Sequence, residues 1–217
     1  MRGFTLVEMI VVLAIIVIIT GIVLNSQNDF NRALTVTDTA YTVALTVREA
    51  QTFGLSSRTY STASNAAYGV DFASSTPKNY TLFADVYPIA PGSSSAYCPG
   101  HTAGSGNPDA KPGNCTFDAG QSETLQSFTF GRGFQITNIC GHDTGNTFRC
   151  TSNGYLTGID IVFLRPNTDS VVTGRTSGTF VKLLDASIQI TAPSGSGTRY
   201  VCVTQAGEIS VATSSCP

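Results

Sequence analysis

The chain has 217 residues, a mass of 22.8 kDa and a net charge of −2. Charged residues make up only 12% of it, about half the usual share, while 29 Thr and 22 Ser give it a surface of hydroxyls and amides. At 41% hydrophobic it buries a core, which excludes wholesale disorder, and the absence of any Lys or Arg run argues against electrostatic capture of nucleic acid.

Residues 4–24 read FTLVEMIVVLAIIVIITGIVL, an aliphatic run interrupted only by Thr5, Glu8, Thr20 and Gly21. As a helix it spans roughly 30 Å, the thickness of a bilayer hydrocarbon core. A removable secretory signal would need a small-x-small cleavage site after the run, and Val23, Leu24, Asn25, Ser26 and Gln27 offer none. Glu8 is the anomaly. A carboxylate within an apolar span is costly unless it has a cationic partner, such as its own helix dipole, its own amino terminus or a cation on another chain. The alternative is a solvated Glu8 in the headgroup layer.

Gly3-Phe4-Thr5-Leu6-Val7-Glu8-Met9 resembles the prepilin processing motif of type IV pilins and of the pseudopilins of type II secretion. The resemblance implies a short leader, residues 1–3, cut by a prepilin peptidase between Gly3 and Phe4. Phe4 would become an N-methylated terminus, and Glu8 would pair with the Phe4 amine of a neighbouring subunit. A methylated amine keeps its positive charge at neutral pH, so acid and cation compensate one another in a low-dielectric bundle. A leader of Met1, Arg2 and Gly3 is shorter and less basic than most in that family.

Beyond the run, Phe30, Ala33, Leu34, Ala40, Tyr41, Ala44 and Leu45 recur at helical offsets. With Gly54 as a terminator, one helix is predicted from about Thr5 to Phe53. Residues 4–24 would form its transmembrane or filament-core part, and residues 25–54 an amphipathic continuation whose stripe packs on a globular domain.

Residues 55–217 read as that β-rich, extracytoplasmic domain. Short β-prone runs fall at 68–72, 80–85, 128–130, 134–139, 159–164, 180–184, 188–191, 200–204 and 208–211, and Gln205-Ala206-Gly207 reads as a hairpin turn. The expected class is α+β, an antiparallel sheet packed on the distal half of a long helix. The order YGVDF, YTLFAD, FQITNI, GIDIVFLRP and a closing hairpin also resembles a minor pseudopilin. Residues 86–121 form a long loop holding five of the nine prolines, suited to surface display.

All six cysteines, Cys98, Cys115, Cys140, Cys150, Cys202 and Cys216, lie in the predicted external half, which suggests disulfides in an oxidising compartment. Fifteen pairings are possible. Nearest-neighbour closure (98 with 115, 140 with 150, 202 with 216) is the attractive one, each bridge contributing about 2–4 kcal/mol through loop-closure entropy. Cys98-x-x-His101 and Cys140-x-His142 lack the second nearby thiol of a zinc site, and Asp143 and Asn146 are common turn residues, so no metal is expected. No nucleophile elbow, HExxH, P-loop or dinucleotide fingerprint is present. Asp71, Asp85, Asp118 and Asp160 read as solvated acids, and no catalysis or cofactor is expected. Arg132, Arg149, Arg165, Arg175 and Arg199 alternate with acids, so no nucleic acid is expected either.

The resemblance implies these partners: other pilin subunits, the prepilin peptidase, an assembly platform protein with its ATPase, and the cytoplasmic membrane. The rival is a membrane-anchored binding module or adhesin that never polymerises. Full oxidation has a direct check: alkylation of the native, unreduced protein should label none of the six cysteines, and any labelled thiol would remove the three-bridge framework.

Overall fold

The computed structural model describes residues 5–56, 59–60, 66–86, 113–193 and 197–216, with only the backbone described at 25–32. It is an α+β fold. A single helix, α1 (Leu6–Leu55), runs 50 residues, about 75 Å at the standard rise. The strands are β1 (Ala67–Ala73), β2 (Asn79–Asp85), β3 (Thr124–Thr129), β4 (Gln135–His142), β5 (Phe148–Cys150), β6 (Gly158–Phe163), β7 (Ser170–Arg175), β8 (Phe180–Leu183), β9 (Asp185–Thr191), β10 (Thr198–Thr204) and β11 (Ile209–Ala212).

Threonine is a modest helix former, and the distal half of α1 carries many. Their hydroxyls turn inward and donate to the carbonyl four residues back, at 2.8 Å from Thr37 to Ala33 and from Thr39 to Thr35, and at 2.9 Å from Thr52 to Arg48. Gly54 is not the terminator expected of it. It lies inside the last turn, where a Cβ would collide with the backbone of Phe163, so its role is close approach of helix to sheet. The helix ends at Ser56, whose N–H reaches the carbonyls of Thr52 and Phe53.

The expected single sheet is two antiparallel sheets, ordered β3-β2-β1-β6-β7-β8 and β11-β10-β9-β4-β5. β5 and β7 were not among the predicted runs. β5 has only three residues, and β7 carries Gly174 where a strand pattern is expected to continue. The hairpin at residues 205–207 does join β10 to β11.

Both sheets share one core with α1. Val36, Ala40, Val43, Ala44, Val47 and Ala50 face Val70, Phe72, Ile159, Ile161 and Phe163 of the first sheet, and Ile188, Ile190, Val201 and Val203 of the second. Each fully buried valine contributes about 1.5–3 kcal/mol. The stripe is therefore rotated from the expected one: Ala40 and Ala44 lie on it, whereas Leu34, Tyr41 and Leu45 are more than half exposed. Valine and alanine allow the helix to sit close to two sheets at once, and the bulkier residues are left outside. Arg48 Nη2 donates to the Ile209 carbonyl at 3.0 Å, and Gln51 Nε2 to that of Gly207 at 3.0 Å, pinning the helix to the β10–β11 hairpin.

The outer face of the first sheet is covered as well. Residues 113–121, the described part of the predicted loop, lay Cys115 and Phe117 against Phe83, Val162, Leu164 and Val171. Residues 87–112 lie outside the described residues. Asp85 Oδ1 accepts the Asn114 N–H at 2.8 Å and Oδ2 the Cys115 N–H at 2.7 Å, while Glu123 accepts the N–H groups of Val86 and Asp118. Two carboxylates thus latch both ends of the loop. Gly113 (φ +107°) passes directly over the Asp85 carboxylate. Gly113→Ala should cost at least about 1–3 kcal/mol in thermal unfolding. A variant as stable as the parent would show that the latch does not depend on this approach.

Candidate anchoring and assembly site

α1 begins where Thr5 caps it. Thr5 is extended (φ −80°, ψ 150°), and its hydroxyl accepts the Glu8 N–H at 3.3 Å. Thr5-Leu6-Val7-Glu8 has the spacing of a capping box, a signal in the sequence that explains both the start of the helix and one favourable place for an acid. Glu8 sits in the first turn and is exposed, and among the described residues its carboxylate makes no hydrogen bond or ion pair. Gly3 and Phe4, the expected processing junction, lie outside the described residues.

From Leu6 to Leu24 the helix has a mean hydropathy of 3.0 and none of it is buried. It is long and apolar enough to cross a membrane. Apolar side chains are exposed all the way round, Leu6 at 76% and Val17 at 70% among them, so this half was not shaped to lie on its own domain. Leu34, Tyr41 and Leu45 extend exposed apolar surface along the distal half.

Cys140 pairs with Cys150 across the β4–β5 ladder (Cα–Cα 4.1 Å), and Cys202 with Cys216 (Cα–Cα 5.7 Å). Cys115 is also disulfide-bonded, and Cys98 lies outside the described residues. With Cys140 oxidised, Cys140-x-His142 has no thiolate to offer a metal. His142 Nδ1 instead meets Asp185 Oδ2 at 2.7 Å, beside the Phe148 ring. Among the described residues no group of three or more His, Cys, Asp or Glu is placed to hold a metal ion; His101 lies outside them. Asp143 accepts from Gly145, Thr147 and Arg149 within its own turn, and Arg149 also stacks 4.2 Å over Tyr155.

The acids expected to be solvated are largely buried. Asp71 and Asp160 are directly paired across β1 and β6, and both bind Arg175 of β7, Asp160 at 3.2 Å. Arg175 also donates to the Phe72 carbonyl. Burial pushes the Asp160 carboxyl well up; Arg175 opposes that shift and Asp71 adds to it. Burial likewise pushes Asp85 well up against its two N–H donors, with Glu123 adding to the rise. The missed signal is that both faces of β1 and β6 are covered. A polar residue on the outer face of a strand reads as solvated unless the covering segment, here more than forty residues away from Asp71, is known.

Residues 1–24 match the family model described as the prokaryotic N-terminal methylation motif, the prepilin motif of type IV pilins and pseudopilins. No curated protein and no solved structure matches the chain.

The buried acids set a pH dependence. Asp85 and Asp160 have folded values above the ordinary 3.8, so the native state retains protons that the unfolded chain releases, and stability falls as pH rises through the raised values. Hydrogen bonds from Thr147 and Arg149 hold the Asp143 carboxyl below the ordinary value, so its contribution is lost only as pH falls through that depressed value. Thermal melts in detergent should therefore show stability falling as pH rises from the ordinary carboxylate range towards neutrality, because Asp85 and Asp160 must then give up protons they hold in the fold. Stability climbing steadily to neutrality would contradict this.

Proposed function

We infer that the protein is a structural, non-enzymatic subunit, a pilin or minor pseudopilin, of a type IV pilus or a type II secretion pseudopilus. The observation that carries this is the match of residues 1–24 to the methylation motif on a helix whose first half is covered by none of the described residues. In this reading a prepilin peptidase cuts between Gly3 and Phe4, the chain waits in the cytoplasmic membrane with its β-rich domain outside, and a platform protein with its ATPase drives it into a filament. There the 4–24 segments of neighbouring subunits cover one another, replacing lipid contacts with protein contacts. Glu8, without a side-chain partner among the described residues, meets the methylated Phe4 amine of a neighbour. The disulfides suit a domain outside the cytoplasm.

The exposed Leu34, Tyr41 and Leu45 continue the apolar surface of the first half, and burying them between subunits gives the distal helix a use for residues its own core rejects. The second reading, a membrane-anchored binding module that does not polymerise, shares the same anchor and differs at the terminus. N-terminal sequencing of the native protein separates the two: an N-methylated Phe4 supports the subunit, and an intact Met1 or Arg2 supports the simple anchor.

Glu8→Ala should insert into the membrane normally yet enter filaments about tenfold less or worse, because an unpaired cation would then be buried. Normal incorporation would sink the pairing. Gly3→Ala should leave an unprocessed chain that does not assemble. Tyr41→Ser with Leu45→Ser should impair assembly while leaving the melting temperature unchanged, since both side chains already face outward.

A further inference from the structure

A cavity of about 520 Å³ opens beside the Asp71–Arg175 pair, on the face of the first sheet turned away from α1. Its position follows from the ladder registers. Ser127, Thr81, Asp71 and Asp160 form one cross-strand row over β3, β2, β1 and β6. In the neighbouring row Ala73 pairs with Gly158, which pairs with Arg175. Two small residues side by side leave a trough, and the Arg175 side chain lies across Gly158 to reach both carboxylates. The volume falls within the range of small-molecule sites.

Charge decides what such a trough can hold. Among the described residues Arg175 is the sole cation lining it, and Asp71 and Asp160 already engage its guanidinium, so a phosphate or carboxylate ligand meets no uncompensated positive charge from them. A cation approaching Asp71 would meet the guanidinium. The rest of the lining is uncharged: Asn79, Thr81, Ser127 and Thr157 present amide and hydroxyl groups, and Phe117 supplies an apolar wall. Among the described residues the guanidinium uses three of its five donors, on Asp71, Asp160 and Phe72. A fixed charged pair whose donors and acceptors stand next to one another, flanked by an amide, hydroxyls and one aromatic ring, matches a ligand bearing vicinal hydroxyls and an apolar C–H face.

We propose that this trough binds a neutral carbohydrate, one hexose or N-acetylhexosamine residue of a glycan, seated over the Asp71–Arg175 pair and against Phe117. Asn79 and Ser127 form the exposed rim on β2 and β3 and set which sugar hydroxyls are read.

The test uses the full chain in detergent micelles and a panel of glucose, galactose, mannose, N-acetylglucosamine and N-acetylgalactosamine with their simple disaccharides. Binding is read by NMR shifts of residues around Asp71, Asn79 and Ser127. The expected result is at least one sugar with a dissociation constant of about 1 mM, as suits an open, shallow site. Asn79→Ala should weaken it about tenfold through one lost hydrogen bond, and Ser127→Tyr, which fills the trough from the exposed rim, should abolish it. Neither variant touches the buried pair, and unchanged melting curves confirm that both are folded. No binding across the panel, binding indifferent to both variants, or stronger perturbation of these residues by Ca²⁺ or inorganic phosphate would each overturn the proposal.

Discussion

One continuous helix has to satisfy two different surroundings, and every other part of the fold is arranged around that. Its hydrogen bonds run unbroken from Leu6 to Leu55, yet among the described residues nothing covers its first half while its second is buried against two sheets. Helix formation itself supplies little net stability. The first half therefore depends on lipid or on other chains to cover its side chains. The second half depends on the valines and alanines that let it lie close to β1, β6 and β10.

The globular part shows how a protein with few charges uses those it has. Where it buries carboxylates, each is matched to specific donors: Asp71 and Asp160 to one guanidinium, Asp85 and Glu123 to backbone N–H groups of the segment that crosses the outer face. Burying ionic groups in this way contributes little net stability compared with an apolar replacement, but breaking one partner leaves an uncompensated charge. Such pairs fix geometry. Here they set the path of residues 113–121 over the first sheet and hold Arg175 flat.

Much of this architecture was legible from residue order. The aliphatic run, the acid at position 8 and the helical spacing beyond it located α1 to within two residues at each end, and alternating runs located nine of the strands. What could not be read depends on distant covering. The helix stripe was misassigned because Leu34 and Tyr41 have core-like chemistry, and only the closeness of two sheets shows that valine and alanine must take the contact. The division into two sheets was missed for a similar reason, since no local pattern says which strand turns away from its neighbour. Asp71 and Asp160 looked solvated because one face of a strand was assumed to meet water. At the anchoring segment the balance was reversed: Glu8 stood out at once because a charge in an aliphatic run is conspicuous without any tertiary knowledge.

The pinning of α1 to the β10–β11 hairpin has a mechanical consequence. A pull applied at the apolar end of the helix meets no hinge along its backbone and arrives at Arg48 and Gln51, which hand it to the carbonyls of Ile209 and Gly207. The load then falls on the β9–β10–β11 ladder, where many hydrogen bonds share it. β11 lies within the loop closed by Cys202 and Cys216, so it cannot be peeled farther from β10 than that covalent tether allows. Tension on the helix thus ends in a part of the domain that is closed by a bond rather than by packing alone.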